Sequence, residues 1–458
     1  MFDYIVVIIY LLSMLFAGIY AGKNITSLKE FAINKKNYSD KVMVATLFAT
    51  VIGAGSTLGI VTNVYQYGIV FMLAFYGAAI NKLLVAKFIA PKFDLFKEAT
   101  SIGDIFEKHY GRFGRFLSGS IIVTVSVAFA GQQITAIGFI FEQFLNIPFL
   151  WGVIIAYGVV ILYAASGGIK AVVLTDVIQF IIIITFVPIM FLGSLHYFDS
   201  FSTFVHQIPL NKINPLSNPD VLPRAITMFA IMTFSALDPI FIHRLIMSKD
   251  GKQAAYITKI TGYLSFPLFT LMGCIGLVAY MINDSLQPNC ALPHMITMTL
   301  PPVLKGLAIS ALLAILMSTI DSGVHVLGLS IVQDFILPLS KKERSHKTQI
   351  NIIRFTTLVF GLLSVIVALY FKNIFDIMIF AFSFWGPTIL VPFVFLLYKR
   401  VFTKKRLLQG IGLGAITVIL WNILLKDLTG FDGFIPGMIM NSLFFYVSIT
   451  KHTIPFKA

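Results

Sequence analysis

Apolar segments long enough to cross a bilayer recur from one end of this chain to the other. A span needs about 20 residues. Runs of that kind lie near 3–21, 42–64, 68–90, 116–145, 148–166, 171–195, 222–245, 257–283, 301–331, 351–371, 374–397, 407–425 and 433–450. The pattern predicts an all-α integral membrane protein of about thirteen helices. Composition agrees. Hydrophobic residues make up 58% of the 458 and charged residues only 12%, where a soluble domain carries about a quarter charged. No soluble domain is legible, and the longest connections fall near 91–115 and 196–221. Asp3 precedes the first run where a cleavable signal peptide would be basic, so that run reads as a retained helix. Cys274 and Cys290 make neither a disulfide framework nor a zinc-ligand spacing.

A net charge of +14 would suit nucleic acid if it formed a stripe on a soluble domain. Here the cations sit in short clusters between apolar runs. The first loop holds Lys23, Lys29, Lys35, Lys36 and Lys41, and the third Lys92, Lys97, Lys108, Arg112 and Arg115. Lys170 sits in the fifth, and Arg244, Lys249 and Lys252 in the seventh. The ninth holds Lys341, Lys342, Arg344 and Lys347, and the eleventh Lys399, Arg400, Lys404, Lys405 and Arg406. Even-numbered loops carry few, chiefly Lys212, Arg224, Lys305, Lys372 and Lys426. By the positive-inside rule the odd loops and the C-terminus are cytoplasmic and the N-terminus is outside. Nucleic acid is thereby excluded as a partner, and no obligate protein partner is evident.

Function should lie where membrane helices break the rules, because unwound backbone survives at membrane depth only when protein buries it or it lines a cavity. The second run contains Ile52-Gly53-Ala54-Gly55-Ser56-Thr57-Leu58-Gly59 in mid-span. This is either a break or a close-packing GxxxG surface. The seventh run contains Ser235-Ala236-Leu237-Asp238-Pro239, either a break or an ordinary proline kink with its acid bonded to a neighbour. With the first helix set aside, these two runs open successive sets of five. Interrupted helices at matching positions of two halves point to a transporter's midplane site, and sets of five must insert with opposite orientation.

Other polar residues fall into the same scheme. Gln132 and Gln133 sit mid-span, as does Met317-Ser318-Thr319-Ile320-Asp321-Ser322. The hydroxyls of Ser318 and Thr319 suit a hard cation, or bond back to the carbonyl one turn earlier. Asp176 is either an ion ligand or a salt-bridge partner of Lys170 or Arg244. Trp385, beside Gly386-Pro387, is either a cavity wall or packed core.

On these residues the chain resembles the sodium:solute symporter family. The most specific pieces are Gly167-Gly168-Ile169-Lys170-Ala171-Val172 followed by Thr175-Asp176-Val177-Ile178-Gln179, and Met317 to Ser322. Ser101-Ile102-Gly103-Asp104-Ile105-Phe106, Phe141-Glu142 and Trp385-Gly386-Pro387 fit weaker family patterns. The resemblance implies a LeuT-like five-plus-five inverted repeat and sodium symport by alternating access. It implies a sodium site made of the carbonyls of Ala49, Ile52 and Ile315 and the hydroxyls of Ser318 and Thr319. Some members hold a second sodium, which here would involve Asp176, Ser318 and Ser322 with Asp321 beside them. Asp238-Pro239 departs from the Gln-Pro of many members.

The expected function is secondary active, sodium-coupled symport of a small organic solute such as an amino acid, sugar or carboxylate. Solute would bind against Gly53, Ser56, Phe75, Gln132, Gln133, Asp238 and Trp385. Residues 1–450 would form one membrane domain. Within it, 1–40 is a leading helix and loop, 41–195 the first repeat, 222–398 the second and 399–450 two added helices. Residues 451–458 would be a cytoplasmic tail, and the setting the inner (plasma) membrane. Rival readings are a transporter-like membrane sensor and a proton-coupled symporter. An enzyme would need a convergent nucleophile, base or metal ligands, and mid-membrane His and Cys are nearly absent.

Overall fold

In a computed structural model, residues 2–23, 25–217, 221–340, 345–371 and 374–455 are described. Lys341, Lys342, Arg344, Lys372 and Lys457 lie outside them. Among the described residues, 10 helices are long and apolar enough to cross a membrane. The helix Phe2–Ala21 exposes Ile5, Ile8, Ile9, Leu12 and Phe16, and Lys404–Leu424 buries only Leu407, Gly410 and Gly414. Such apolar belts are stable facing lipid.

The helix Pro302–Ser330 lies at the centre, with every residue from Ala308 to Ser330 buried. It packs against Phe149–Ser194, Ile102–Leu145 and Phe2–Ala21. A helix as long as Phe149–Ser194 (46 residues) would extend about 70 Å if straight, over twice the hydrocarbon core. It is not straight. Gly168 has φ 51° and ψ −147°, a left-handed φ that turns the chain back on itself and that glycine adopts at least cost. A Cβ there would also lie 2.7 Å from the Phe31 ring. The expected helices 148–166 and 171–195 are therefore the two arms of this bend.

Both expected breaks are present. The second run is helical over Asp40–Val51 and Leu58–Tyr67 with non-helical backbone between them. The seventh is helical over Val221–Phe234 and Pro239–Met247. The run near 374–397 is also interrupted: Ile374–Trp385 widens into a π-turn at Gly386–Leu390 before Val391–Leu397. The connection at 91–115 is less open than expected, because helix begins again at Ile102. Ser101 and Asp104 form a reciprocal capping box there, which satisfies backbone donors that a helix start leaves bare. The only strands among the described residues are a two-residue ribbon, with Val401 opposite Ile454 and Phe402 opposite Thr453.

Candidate ion and solute site

The first break leaves the last carbonyls of Asp40–Val51 without helical partners, and the central helix meets them. Ser318 Oγ donates to the carbonyl of Ala49 at 2.8 Å and to that of Ile315 at 2.9 Å. Thr319 Oγ1 is 3.1 Å from the carbonyls of both Thr50 and Ile52, and 3.3 Å from that of Ile315. These hydroxyls bond back along their own helix, as one sequence reading expected, and also across to the broken one. Ala49, Ile52, Ile315 and Ser318 are fully buried and Thr319 nearly so. The result is one cluster of carbonyl and hydroxyl oxygens carrying no formal charge. Such a donor set suits a hard cation of low charge. Thr50 joins it through its carbonyl, an oxygen the sequence did not single out.

The acids beside this cluster are organised differently. Asp176 pairs with Arg244, Nη2 to Oδ2 at 3.1 Å, with both side chains fully buried. Lys170, the other partner considered, bonds Glu30 instead. Arg244 also donates to Thr46 Oγ1 and Thr50 Oγ1, each at 3.1 Å, and to Ser322 Oγ. Thr46 donates to the same Asp176 oxygen. Asp321 accepts from Tyr163 at 2.7 Å and from Thr175 and Ser322 at 3.3 Å each. Arg244, assigned above to a cytoplasmic loop, is in fact among the most deeply buried side chains of the molecule. It is held on Pro239–Met247, the half-helix after the second break.

The two unwound stretches are tied down by the residues expected to meet solute. Gln133 Oε1 accepts the Ala54 amide at 2.7 Å, and its side-chain nitrogen donates to Gln132 Oε1 at 3.2 Å. A Cβ on Gly53 would sit 2.9 Å from the Gln133 amide group, so glycine is what lets the two approach. Ser56 Oγ bonds the Gly53 backbone at 3.0 and 3.1 Å. Gln132 Nε2 is buried with no hydrogen-bond partner among the described residues. On the other side, Trp385 is fully buried and its Nε1 donates to the Leu237 carbonyl at 2.9 Å. Trp385 is thus packed in the core while its indole N–H satisfies a carbonyl at the second break. Asp238 Oδ1 accepts the Ile240 and Phe241 amides at 2.8 and 2.9 Å, making it the N-cap of Pro239–Met247. Phe75 is fully buried. Lys82, also buried, donates to its own helix at Ala78.

At the far end of the central helix, Arg115 gathers Asp104, Glu107 and Asp334. Asp334 further accepts from Ser101 and Ser330. The weaker motif around Ser101 is therefore a helix cap joined to an ion-pair cluster.

The family model described as the sodium:solute symporter family matches residues 31–414. The chain belongs to that family. Its similar relatives include sodium/proline symporter 2 of Staphylococcus saprophyticus, 24% identical over 98% of this chain and 93% of that protein. The osmoregulated proline transporter OpuE of Bacillus subtilis is also 24% identical, over 95% and 92%. Among solved structures, a sodium-coupled sialic acid symporter in a substrate-bound outward-open state superposes with a TM-score of 0.85 at 18% identity, covering 100% of this chain and 99% of that one. MhsT bound to L-phenylalanine gives 0.61 at 14%, over 89% and 97%. The structural likenesses establish a LeuT-like transporter fold. The symporter is thus a multi-pass membrane protein, and sodium-coupled secondary transport of small solutes is its function; its relatives are transporters, not enzymes. Among what the sequence reading missed in its polar interior are two cations, Lys82 and the deeply placed Arg244. The available signal was a cation inside an apolar run, since intramembrane ionisable groups are functional candidates by default.

Proposed function

We propose that this symporter carries a small amino-acid-like solute together with sodium bound by the Ala49, Ile52 and Ile315 carbonyls and the Ser318 and Thr319 hydroxyls. The observation that supports the ion site is the convergence of those two hydroxyls on the free carbonyls of the first break. Sodium would draw the same oxygens together and brace the broken helix against the central one. The amino-acid class rests on the proline transporters among its relatives. Solute would meet Gly53, Ser56, Phe75, Gln132, Gln133, Asp238 and Trp385. The unpartnered Gln132 nitrogen offers a donor to a carboxylate, and the second Asp238 oxygen offers an acceptor to an amine.

The reading includes thirteen membrane helices. The 10 apolar helices gain one when Phe149–Ser194 is divided at Gly168, one from the first broken run and one from Phe434–His452. Loop charges put the N-terminus outside and the C-terminus in the cytoplasm, in the plasma membrane. Residues 41–195 and 222–398 are then inverted repeats that rock about the site.

The test is thermal stabilisation of the purified protein by proline and other amino acids, in sodium and in potassium. Stabilisation that requires sodium, and that disappears in the double variant Ser318→Ala with Thr319→Ala, is expected. Unchanged sodium dependence in that variant would remove the site assignment.

A further inference from the structure

The last two helices, Lys404–Leu424 and Phe434–His452, leave a groove of about 560 Å³ between them. On its inner side the pair is closed: a Cβ on Gly410 would sit 2.3 Å from the Phe445 ring. On the outer side Leu413, Met440, Leu443 and Val447 line the groove, and Leu443 and Val447 are 53% and 72% exposed. Arg406 and Ser448 line one end of it. Arg406 lies in the first turn of its helix and Ser448 near the close of the other, so both stand at the same membrane surface. From Arg406 to Leu413, and from Ser448 to Met440, the groove runs inward by about 10–12 Å at 1.5 Å per residue. A cation at the surface with aliphatic side chains below it is the polarity of a phospholipid. The Arg406 guanidinium lies over the Phe444 ring, 5.5 Å from its centroid, and its planar fork of donors matches the oxygens of a phosphate.

Charge decides among the occupants. Lys399, Arg400, Lys404, Lys405 and Arg406 gather at this end, and no Asp or Glu occurs between Asp376 and Asp427 or after Asp432. Lys404 leans the other way, over the Phe113 ring at 5.9 Å. A zwitterionic headgroup would bring its own cation into this surplus. A second copy of the chain, inserted in the same direction, would bring the same cationic end. An anionic headgroup offsets it, and basic sites between membrane helices on the cytoplasmic side select such lipids.

We propose that this groove binds one anionic phospholipid of the cytoplasmic leaflet, its phosphate held by Arg406 and an acyl chain laid along Leu413, Met440, Leu443 and Val447. The leaflet rests on the topology proposed above; the ion site plays no part in it. Occupancy has a consequence inside the protein. Asn441, on the same helix, donates to the carbonyls of Gly410 at 3.2 Å, Thr388 at 3.4 Å and Pro387. It fastens the helix pair to the π-turn Gly386–Leu390 that follows Trp385. A lipid filling the groove braces the pair against that turn, so it raises the melting temperature.

The test uses the full-length protein, delipidated in detergent and then given phosphatidylglycerol, phosphatidylcholine or glycerol phosphate. Native mass spectrometry counts the lipid retained, and thermal denaturation reads its effect. One phosphatidylglycerol per chain should be held in preference to phosphatidylcholine and should raise the melting temperature more. Arg406→Gln should reduce that preference by about fivefold, the share of one cation at an anionic membrane surface. Arg406→Lys should keep most of it. Lys87→Gln removes a cation that also lies beside a ring, Phe88 at 5.0 Å, but outside the groove, and should leave the preference unchanged. Leu443→Trp fills the groove from an exposed position and should weaken both lipids, which keeps the test decisive if Arg406→Gln does not fold. Equal retention of the two lipids by the unaltered protein overturns the proposal. So does a full preference in Arg406→Gln, or undiminished retention in Leu443→Trp. Stabilisation by glycerol phosphate equal to that by the lipid would mean a free phosphate site instead. A dimer that Leu443→Trp dissociates, with lipid retention unchanged, would give the groove to a second copy. Reconstitution with the cationic end outward in sealed vesicles, shown by protease access to the C-terminus, would remove the leaflet and the topology while leaving the lipid site.

Discussion

Arg244 and Lys170 show how much a residue's meaning depends on its neighbours. Both are cations near the end of a predicted helix, and both were candidate partners for Asp176. Lys170 stays at the edge, where its ammonium beside Glu30 holds that carboxyl down at about 2. A carboxylate depressed in this way adds stability above its ordinary pKa of about 4.5, and the contribution fades as pH falls towards 2. The difference in melting temperature between the unaltered protein and Lys170→Gln should therefore be constant near neutrality and shrink in acid. Arg244 is a different case, because its partner is fully buried. Removing one member of a buried pair typically costs about 3–5 kcal/mol, since the other charge is left uncompensated. Arg244→Ala in sodium-free buffer should lose stability on that scale by thermal denaturation. Trp385→Phe keeps the bulk but strips the Leu237 carbonyl of its donor. A buried acceptor left bare costs about 1–3 kcal/mol, and the loss should appear both in melting temperature and in a raised KM for solute.

At the scale of the helix, breaks and bends divide the work. The break at Ile52 to Thr57 was legible because glycines and hydroxyls gather in mid-span, but its purpose was not. The family resemblance pointed to the Ala49 and Ile52 carbonyls, and the approach of Pro302–Ser330 sets the Ser318 and Thr319 hydroxyls against those of Ala49, Thr50 and Ile52. The bend at Gly168 was legible only as a boundary between two apolar runs. Gly168→Ala should destabilise the protein by about 1–3 kcal/mol, because its backbone lies in a region almost closed to residues with a Cβ, and by more where the Phe31 ring stays in place. The end of Ile102–Leu145 is fastened by Arg115 to Asp104, Glu107 and Asp334. In the proposed topology this cluster is cytoplasmic. Arg115→Gln should loosen this cluster, seen as faster thiol labelling of Ser101→Cys, a position otherwise buried.

For the whole molecule the consequence is energetic. One sodium ion falling through about 100 mV releases about 2.3 kcal/mol, and a tenfold gradient adds about 1.4 kcal/mol. A single ion can therefore sustain a solute gradient of roughly several hundred-fold, and two ions roughly the square of that. Proteoliposomes loaded with solute and clamped at a series of potentials should show flux reversing at a potential set by the number of ions carried with each solute.

The sequence alone determined that this chain is helical and lives in a membrane, because twenty-residue apolar runs have no other stable home. It also marked the two broken runs and the Ser318–Thr319 pair, because polar or helix-breaking residues at membrane depth are costly enough to need a reason. It could not say which partner Asp176 takes or that Trp385 donates to the Leu237 carbonyl at the second break. Those are long-range contacts, between residues as far apart as Thr46 and Arg244, and periodicity along a chain carries no information about which helix faces which. Tertiary packing alone decided that a cation counted as a loop charge would lie among the acids and hydroxyls of the interior.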